Sequence, residues 1–183
     1  WQQSIDSINT FYNILPTLPE NAYALEKNIV FDVGTDMPKV SITMDRIDEV
    51  DGMLNVCDWK TGKVIVGKKI STDLQAPLYI KAVQDYFKKP VRKFDFYFLS
   101  ENKVRTFERV DDENFICRVI NREYKINLTD AVREVQSVFA RIKNKEFNLP
   151  RDIRNMHFTC KMCYYKAQGL CQGAEIQSWK QYN

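Results

Sequence analysis

The segment DRIDEVDGMLNVCDWKTGK, residues 45–63, decides how the rest of the chain is read. On either side of Asp51-Gly52, apolar and β-branched residues alternate with polar ones. Asp-Gly is among the strongest short-range signals for a two-residue hairpin turn. With Asp51 and Gly52 in that turn, Val50 faces Met53, and each step outward brings the next two residues into opposition until Asp45 faces Asp58. Alternation then puts Asp58 and Lys60 on one face with Ile47, Leu54 and Val56. A three-residue loop would move the register by one and separate those faces.

Two carboxylates directly opposed on neighbouring strands have Cβ atoms about 4.5–5.5 Å apart and repel each other. A divalent cation offsets that repulsion, because Mg²⁺ and Mn²⁺ take oxygen ligands, typically one or two carboxylates completed by water and phosphate oxygens. Lys60 beside such an ion could hold or deprotonate a water, or stabilise charge on a phosphorane-like transition state. The competing interpretation is that these charges are solvated edge residues, since Asp-x-Lys arises by chance in many chains.

Around this hairpin the pattern alternates between helix and strand. Trp1, Ile5, Ile8, Tyr12 and Leu15 fall near helical spacing until Pro16 and Pro19, which predicts a helix and then a loop. A strand is expected from about Tyr23 to Val33, and a further short one at VIV, residues 64–66. STDLQAPLYIKAVQDYFKK, residues 71–89, predicts a helix capped by Ser71 or Thr72, with Leu74, Leu78, Ala82 and Tyr86 on one face and Pro77 in its early turns. RKFDFYFLS and KVRTFERV, joined by SENK, predict a second hairpin. Residues 112–124 and 130–146 look helical, the latter striped by Val132, Val135, Phe139 and Ile142. The order is that of an α/β fold with one mixed sheet flanked by helices, followed by a Cys-rich C-terminal tail. The expected division is a core over 1–150 and a Cys-rich segment over 151–183 packed on it.

Bulk properties narrow the class without choosing a function. With 183 residues, 44% hydrophobic composition and a formal charge of +3, the chain is long enough for a sizeable core and too balanced to declare a polyanionic partner by total charge. No apolar run approaches the ~20 residues of a membrane helix, so no membrane association is expected, and the location expected is cytoplasmic or nucleoid-associated. Trp1 in place of an initiator Met points to a fragment.

The hairpin and the helix after it resemble the RecB-type branch of the PD-(D/E)XK nucleases. In that branch an apolar strand runs into Asp-Arg-Ile-Asp, a second strand ends in Asp-aromatic-Lys-Thr-Gly, and the next helix carries Gln-x-x-x-Tyr. Here these stand in order as ITMDRID, VCDWKTGK and LQAPLYIKA. The resemblance implies a restriction-endonuclease-like fold and a Mg²⁺- or Mn²⁺-dependent deoxyribonuclease, an exonuclease or end-processing enzyme of recombination, repair or phage DNA metabolism. It implies that Asp45, Asp58 and the Trp59 carbonyl bind metal, that Lys60 serves the attacking water, and that Gln75 and Tyr79 sit beside the site and help hold DNA or the lysine. An upstream acid is a further metal ligand in the family; Glu26 is the candidate, with Glu20 and Asp32 competing. The glycine often found before the first Asp is absent, with Ser41, Ile42 and Thr43 there instead. The alternative is a non-catalytic DNA-binding or scaffold module of a helicase–nuclease assembly; a helicase or recombination protein is the partner expected in either case.

Of five cysteines, Cys57 and Cys117 lie in apolar stretches and are expected in the core. Cys160, Cys163 and Cys171 are spaced C-x2-C-x7-C, which favours a metal over disulfides. Some RecB-type members hold a [4Fe–4S] cluster with three such cysteines and one upstream. The local rival is a Cys₃His zinc site that adds His157. Lys63, Lys68 and Lys69 follow the motif and are candidate DNA contacts; Lys88, Lys89, Arg92 and Lys93, and Arg141, Lys143 and Lys145, are further basic runs. Tyr79 and Tyr164 could stack on unpaired bases.

Overall fold

The structure is a computed structural model that describes residues 1–146. Its contacts divide the chain at Ala140–Arg141. The expected Cys-rich segment, with Cys160, Cys163, Cys171, His157 and Tyr164, lies outside the described residues.

Seven strands form one sheet in sequence order: β1 (Ala24–Phe31), β2 (Val40–Val50), β3 (Met53–Lys60), β4 (Val91–Phe98), β5 (Lys103–Arg109), β6 (Asn114–Val119) and β7 (Arg122–Asn127). All neighbours are antiparallel except β3 and β4. The parallel pair is joined through α2 (Lys69–Thr72) and α3 (Gln75–Phe87), while α1 (Gln2–Ile14) precedes the sheet and α4 (Leu128–Lys143) follows it. This is the mixed, helix-flanked α/β arrangement expected of a restriction-endonuclease-like fold. Among the described residues no helix is long and apolar enough to cross a membrane.

Asp51 and Gly52 have φ of 54° and 76°, the two left-handed positions of a type I′ turn. Val50 consequently pairs with Met53, and the ladder runs outward in the expected register to Arg46 opposite Cys57. That register aligns one row across all seven strands: Ala24, Ile47, Val56, Phe94, Phe107, Cys117 and Tyr124. Its five central members are each 0% exposed. Truncating a ring such as Phe94 in a site of this kind costs roughly 3–5 kcal/mol, so the row is a principal source of cohesion. Helix α3 covers this face, its Tyr79 ring edge-on to Phe94 at 5.9 Å.

The other face is polar for a buried surface. Arg46 donates from Nε to both Asp48 oxygens at 2.9 and 3.0 Å and from Nη2 to the Pro19 carbonyl. Asp95 accepts the Thr106 hydroxyl at 2.6 Å and lies 2.7 Å from the Lys93 ammonium. Closer to the strand ends, α1 closes over Trp59, with the Phe11 ring 5.0 Å away. Cys57 and Cys117 are buried, as expected; burial, reinforced by Asp48 and Asp95, pushes the Cys57 thiol up and keeps it protonated.

Four sequence expectations need correction. Residues 112–124 are not helical; they hold β6 and the start of β7. The alternation that buries Phe115 and Cys117 is of period two, and the turn between the strands uses Ile120 at φ 55°, a β-branched residue that gives no turn signal. Val64 to Val66 form no strand: Val64 and Ile65 pack against the core while their backbone has no sheet partner. Helix α3 begins at Gln75, not Ser71, with Asp73 Oδ1 accepting the Gln75 N–H at 2.9 Å. Pro77 therefore sits in the first turn, where no intrahelical N–H is needed, and the buried residues are Ala76, Pro77, Ile80, Ala82 and Val83 rather than a stripe through Tyr86. Likewise Val132, Val135 and Phe139 of α4 pack on the core, while Ile142 is exposed.

A Cβ at Gly52 would meet nothing within 4 Å, so substitution there costs only backbone strain. Gly52→Val should lower stability by about 1–2 kcal/mol and Gly52→Asn by clearly less. Urea unfolding midpoints at unchanged m-value measure both.

Candidate active site

Along β3, alternate residues step out of the core on the α3 face: Val56, then Asp58, then Lys60. Val56 is 0% exposed, the Asp58 side chain 6% and the Lys60 side chain 31%. The parallel partner supplies Phe96 beside Asp58 and Phe98 beside Lys60. The Lys60 ammonium sits 5.2 Å from the Phe96 ring centre, close enough for the ring's negative face to favour the cation.

Three side chains close a triangle. Lys60 Nζ lies 2.7 Å from Asp58 Oδ2 and donates to Gln75 Oε1 at 2.8 Å. Gln75 Nε2 donates to Asp58 Oδ1 at 2.8 Å. Lysine can only donate and a carboxylate only accept, so both contacts require the same orientation of the Gln75 amide. Gln75 is the first residue of α3, and the helix thus brings its positive end to the carboxylate.

Asp58 Oδ2 is buried, and the Lys60 ammonium meets it as an ion pair rather than as a well-directed hydrogen bond. Burial pushes the Asp58 carboxyl up; Lys60 opposes this and Asp45 adds to it. The Asp45–Asp58 juxtaposition is in the expected register, but the ladder stops one pair short of it. Instead Asp45 Oδ2 accepts the Trp59 N–H at 2.7 Å, a bond that pins the first carboxylate to the strand bearing the second. Sequence pattern alone could not supply that bond.

Tyr79 lies one turn beyond Gln75 on α3, half-buried against Phe94. Burial pushes its hydroxyl up, with Gln75 opposing. Glu26 is in β1 at φ 47°, between the Leu25–Arg46 and Lys27–Met44 pairs. It flanks Asp45, but its side chain is exposed and it takes no place in the ladder. Of its competitors, Glu20 is exposed before β1, and Asp32 is exposed and 3.8 Å from Lys39. Among the described residues no three His, Cys, Asp or Glu side chains form a metal-binding group.

Lys63, Lys68 and Lys69 are exposed on the segment that follows Lys60. The next basic run is engaged elsewhere: Lys89 lies 2.7 Å from Glu49, Arg92 donates to Asn55 at 3.2 Å, and Lys93 pairs with Asp95. Arg92 and Lys93 also sit at the opposite end of β4 from Phe98, the neighbour of Lys60.

The family model of the PD-(D/E)XK nuclease superfamily matches residues 20–172, and the chain belongs to that superfamily. Its members are nucleases that hydrolyse phosphodiester bonds and generally use divalent metals such as Mg²⁺ or Mn²⁺. Among solved structures, the chain is similar to one described as the crystal structure of SSO0001, with a TM-score of 0.46 and 16% identity over 92% of this chain and 68% of that one. No curated protein sequence gives a significant match.

Gln75→Ala removes a donor to Asp58 and an acceptor from Lys60 together. It should lower stability by about 1–3 kcal/mol, read as a shift in denaturant midpoint, whereas Asp85→Ala, which removes only the partly exposed pair with Lys81 on the same helix, should cost less.

Proposed function

We propose that the chain is a Mg²⁺- or Mn²⁺-dependent deoxyribonuclease of the RecB-type branch, an exonuclease or end-processing enzyme in recombination, repair or phage DNA metabolism. The observation that carries this reading is the closed contact of Asp58, Lys60 and Gln75 beside Asp45. It sets Asp58, Lys60 and Gln75 together at the rim of the core, with Lys60 the more exposed of the β3 pair.

The donor set fits a hard divalent cation. Asp58 Oδ2 is a buried oxygen that the Lys60 ammonium meets off hydrogen-bond direction, Asp45 stands on the adjoining strand, and both are carboxylates of the kind such ions take. Asp45, Asp58 and the Trp59 carbonyl would hold the ion, with Glu26 as a further ligand; water and phosphate oxygens complete such a site, which is why two carboxylates suffice. When bound, the metal supplies Lewis-acid stabilisation of charge on the scissile phosphate and a more acidic water. Lys60, as an ammonium, orients the attacking water and stabilises the negative charge that develops beside it. Gln75 holds Lys60 and Asp58 at fixed separation, and Tyr79 packs behind Gln75. The left-handed backbone at Glu26 supports its assignment, since strain of this sort concentrates at functional sites.

Lys63, Lys68 and Lys69 contact substrate phosphates in this reading. The Cys160, Cys163 and Cys171 group holds a [4Fe–4S] cluster, or Zn²⁺ with His157, as a staple for the 151–183 segment on a 1–150 core. A helicase or recombination protein is the partner.

End-labelled single- and double-stranded DNA should be cleaved with Mg²⁺ or Mn²⁺ and not with EDTA. Lys60→Ala should lower the rate by about 10²–10⁴-fold, and Asp58→Ala should abolish cleavage, with folding and DNA binding retained in both. Metal-dependent cleavage at the wild-type rate by both variants would overturn the assignment.

A further inference from the structure

The segment between β3 and α2, TGKVIVGKK over residues 61–69, carries three lysines and no acid. It has no regular structure until α2 begins at Lys69. A stretch of backbone without ladder or helix would ordinarily be mobile. This one is tied down from a single direction. From the β4–β5 connection, Glu101 Oε1 accepts the Val64 N–H at 2.9 Å and the Ser100 hydroxyl donates to the Gly62 carbonyl at 3.3 Å. From β5, Arg105 Nε donates to the Ile65 carbonyl at 3.2 Å. Three side chains from one hairpin thus hold three successive parts of one segment, which is anchored beyond them by Ile70, 1% exposed in the core.

The side chains so arranged lie toward the exposed side of the molecule. Lys63, on the residue before the clamped Val64, is exposed, as are Lys68 and Lys69. The other oxygen of Glu101 meets Lys103 at 3.0 Å. The carboxylate is therefore fully engaged, and the Val64 N–H with Lys103 holds it below its ordinary range. A hydrophobic residue would have served for packing alone.

We propose that Glu101 is a positioning residue for substrate: with Ser100 and Arg105 it fixes the 61–67 backbone so that Lys63 and its neighbours meet the phosphodiester backbone of a nucleic-acid strand leading to Lys60. This rests on the nuclease reading above. Glu101 touches no substrate in this scheme; it acts through the segment it holds.

Charge and geometry can be separated at this position. Glu101→Ala and Glu101→Gln both remove one negative charge from beside the lysines, which by electrostatics alone tightens binding of a polyanion. Only alanine also removes the acceptor from Val64. Glu101→Asp keeps the charge but draws the acceptor back by one methylene.

The test measures Kd for an oligonucleotide and the KM and kcat of its cleavage, with full-length chain. Leaving a part-buried N–H unpaired changes an equilibrium by up to about tenfold, which sets the scale. Glu101→Ala should raise Kd and KM by about three- to tenfold with kcat within about twofold. Glu101→Gln should stay at or below the wild-type values, and Glu101→Asp should fall between wild type and alanine. If the alanine variant does not fold, Glu101→Asp against wild type decides alone: it keeps the charge, so electrostatics alone leaves Kd and KM at the wild-type values, whereas drawing the acceptor back from the Val64 N–H raises both. Equal values for all variants, or a common tightening of Ala and Gln, would overturn the proposal while leaving a cleaving wild type intact. A wild type that neither binds nor cleaves would overturn the nuclease reading and this one together.

Discussion

The two-residue turn at Asp51-Gly52 is the constraint from which the rest of the molecule follows. Side chains on a strand alternate with a period of two, so a slip of one residue there would exchange the faces of β2 against β3. The apolar row from Ala24 to Tyr124 and the polar row through Arg46, Cys57, Asp95 and Thr106 would then be out of step. Each face resists that slip for its own reason. One would expose five fully buried side chains, and the other would strand Arg46 and Asp48, 8% and 3% exposed, without partners. Breaking a buried ion pair by losing one member costs about 3–5 kcal/mol, comparable to losing a core ring.

The same arithmetic explains why the Asp58 triangle is a poor stabiliser and a good chemical centre. Taking a carboxylate and an ammonium out of water costs several kcal/mol each, and their attraction only about offsets it. Gln75 and the end of α3 supply additional polar contacts, and Phe96 supplies a π face, so the arrangement is tolerated. Its price is an electrostatically loaded pocket edge in which Asp45 and Asp58 repel one another. Under the proposed function, that repulsion is what a bound cation would offset.

Much of this was legible in the residues. The turn dipeptide and alternation fixed the hairpin, and from it the neighbourhood of Asp45, Asp58 and Lys60; the helical spacing of Gln75 and Tyr79 placed them on one face. What escaped pattern reading depended on contacts distant in sequence or on backbone that runs against propensity. Ile120 at a left-handed turn concealed the β6–β7 hairpin. Val64 and Ile65 look like a strand because they are β-branched and partly buried, yet their backbone is satisfied by side chains of Glu101 and Arg105, nearly forty positions away. Glu101 and Arg105 carry no local signal of that role. Nor did the sequence show that Trp59 offers its N–H to Asp45, because a backbone donor has no residue-type signature.

The left-handed residue in β1 has a consequence beyond the site. As the first strand of the order, β1 has no strand partner on one side among the described residues, and it shows Leu25 and Val30 at 62% and 54% exposure. A straight edge of that composition would invite a strand from another chain to extend the sheet. The turn of the backbone at Glu26 breaks the regular spacing of donors and acceptors partway along, so a visiting strand could match one half of β1 or the other but not both. The exposed Glu26 carboxylate at the kink adds charge beside that edge. The irregularity that sets Glu26 beside Asp45 thereby offers a visiting strand no continuous ladder.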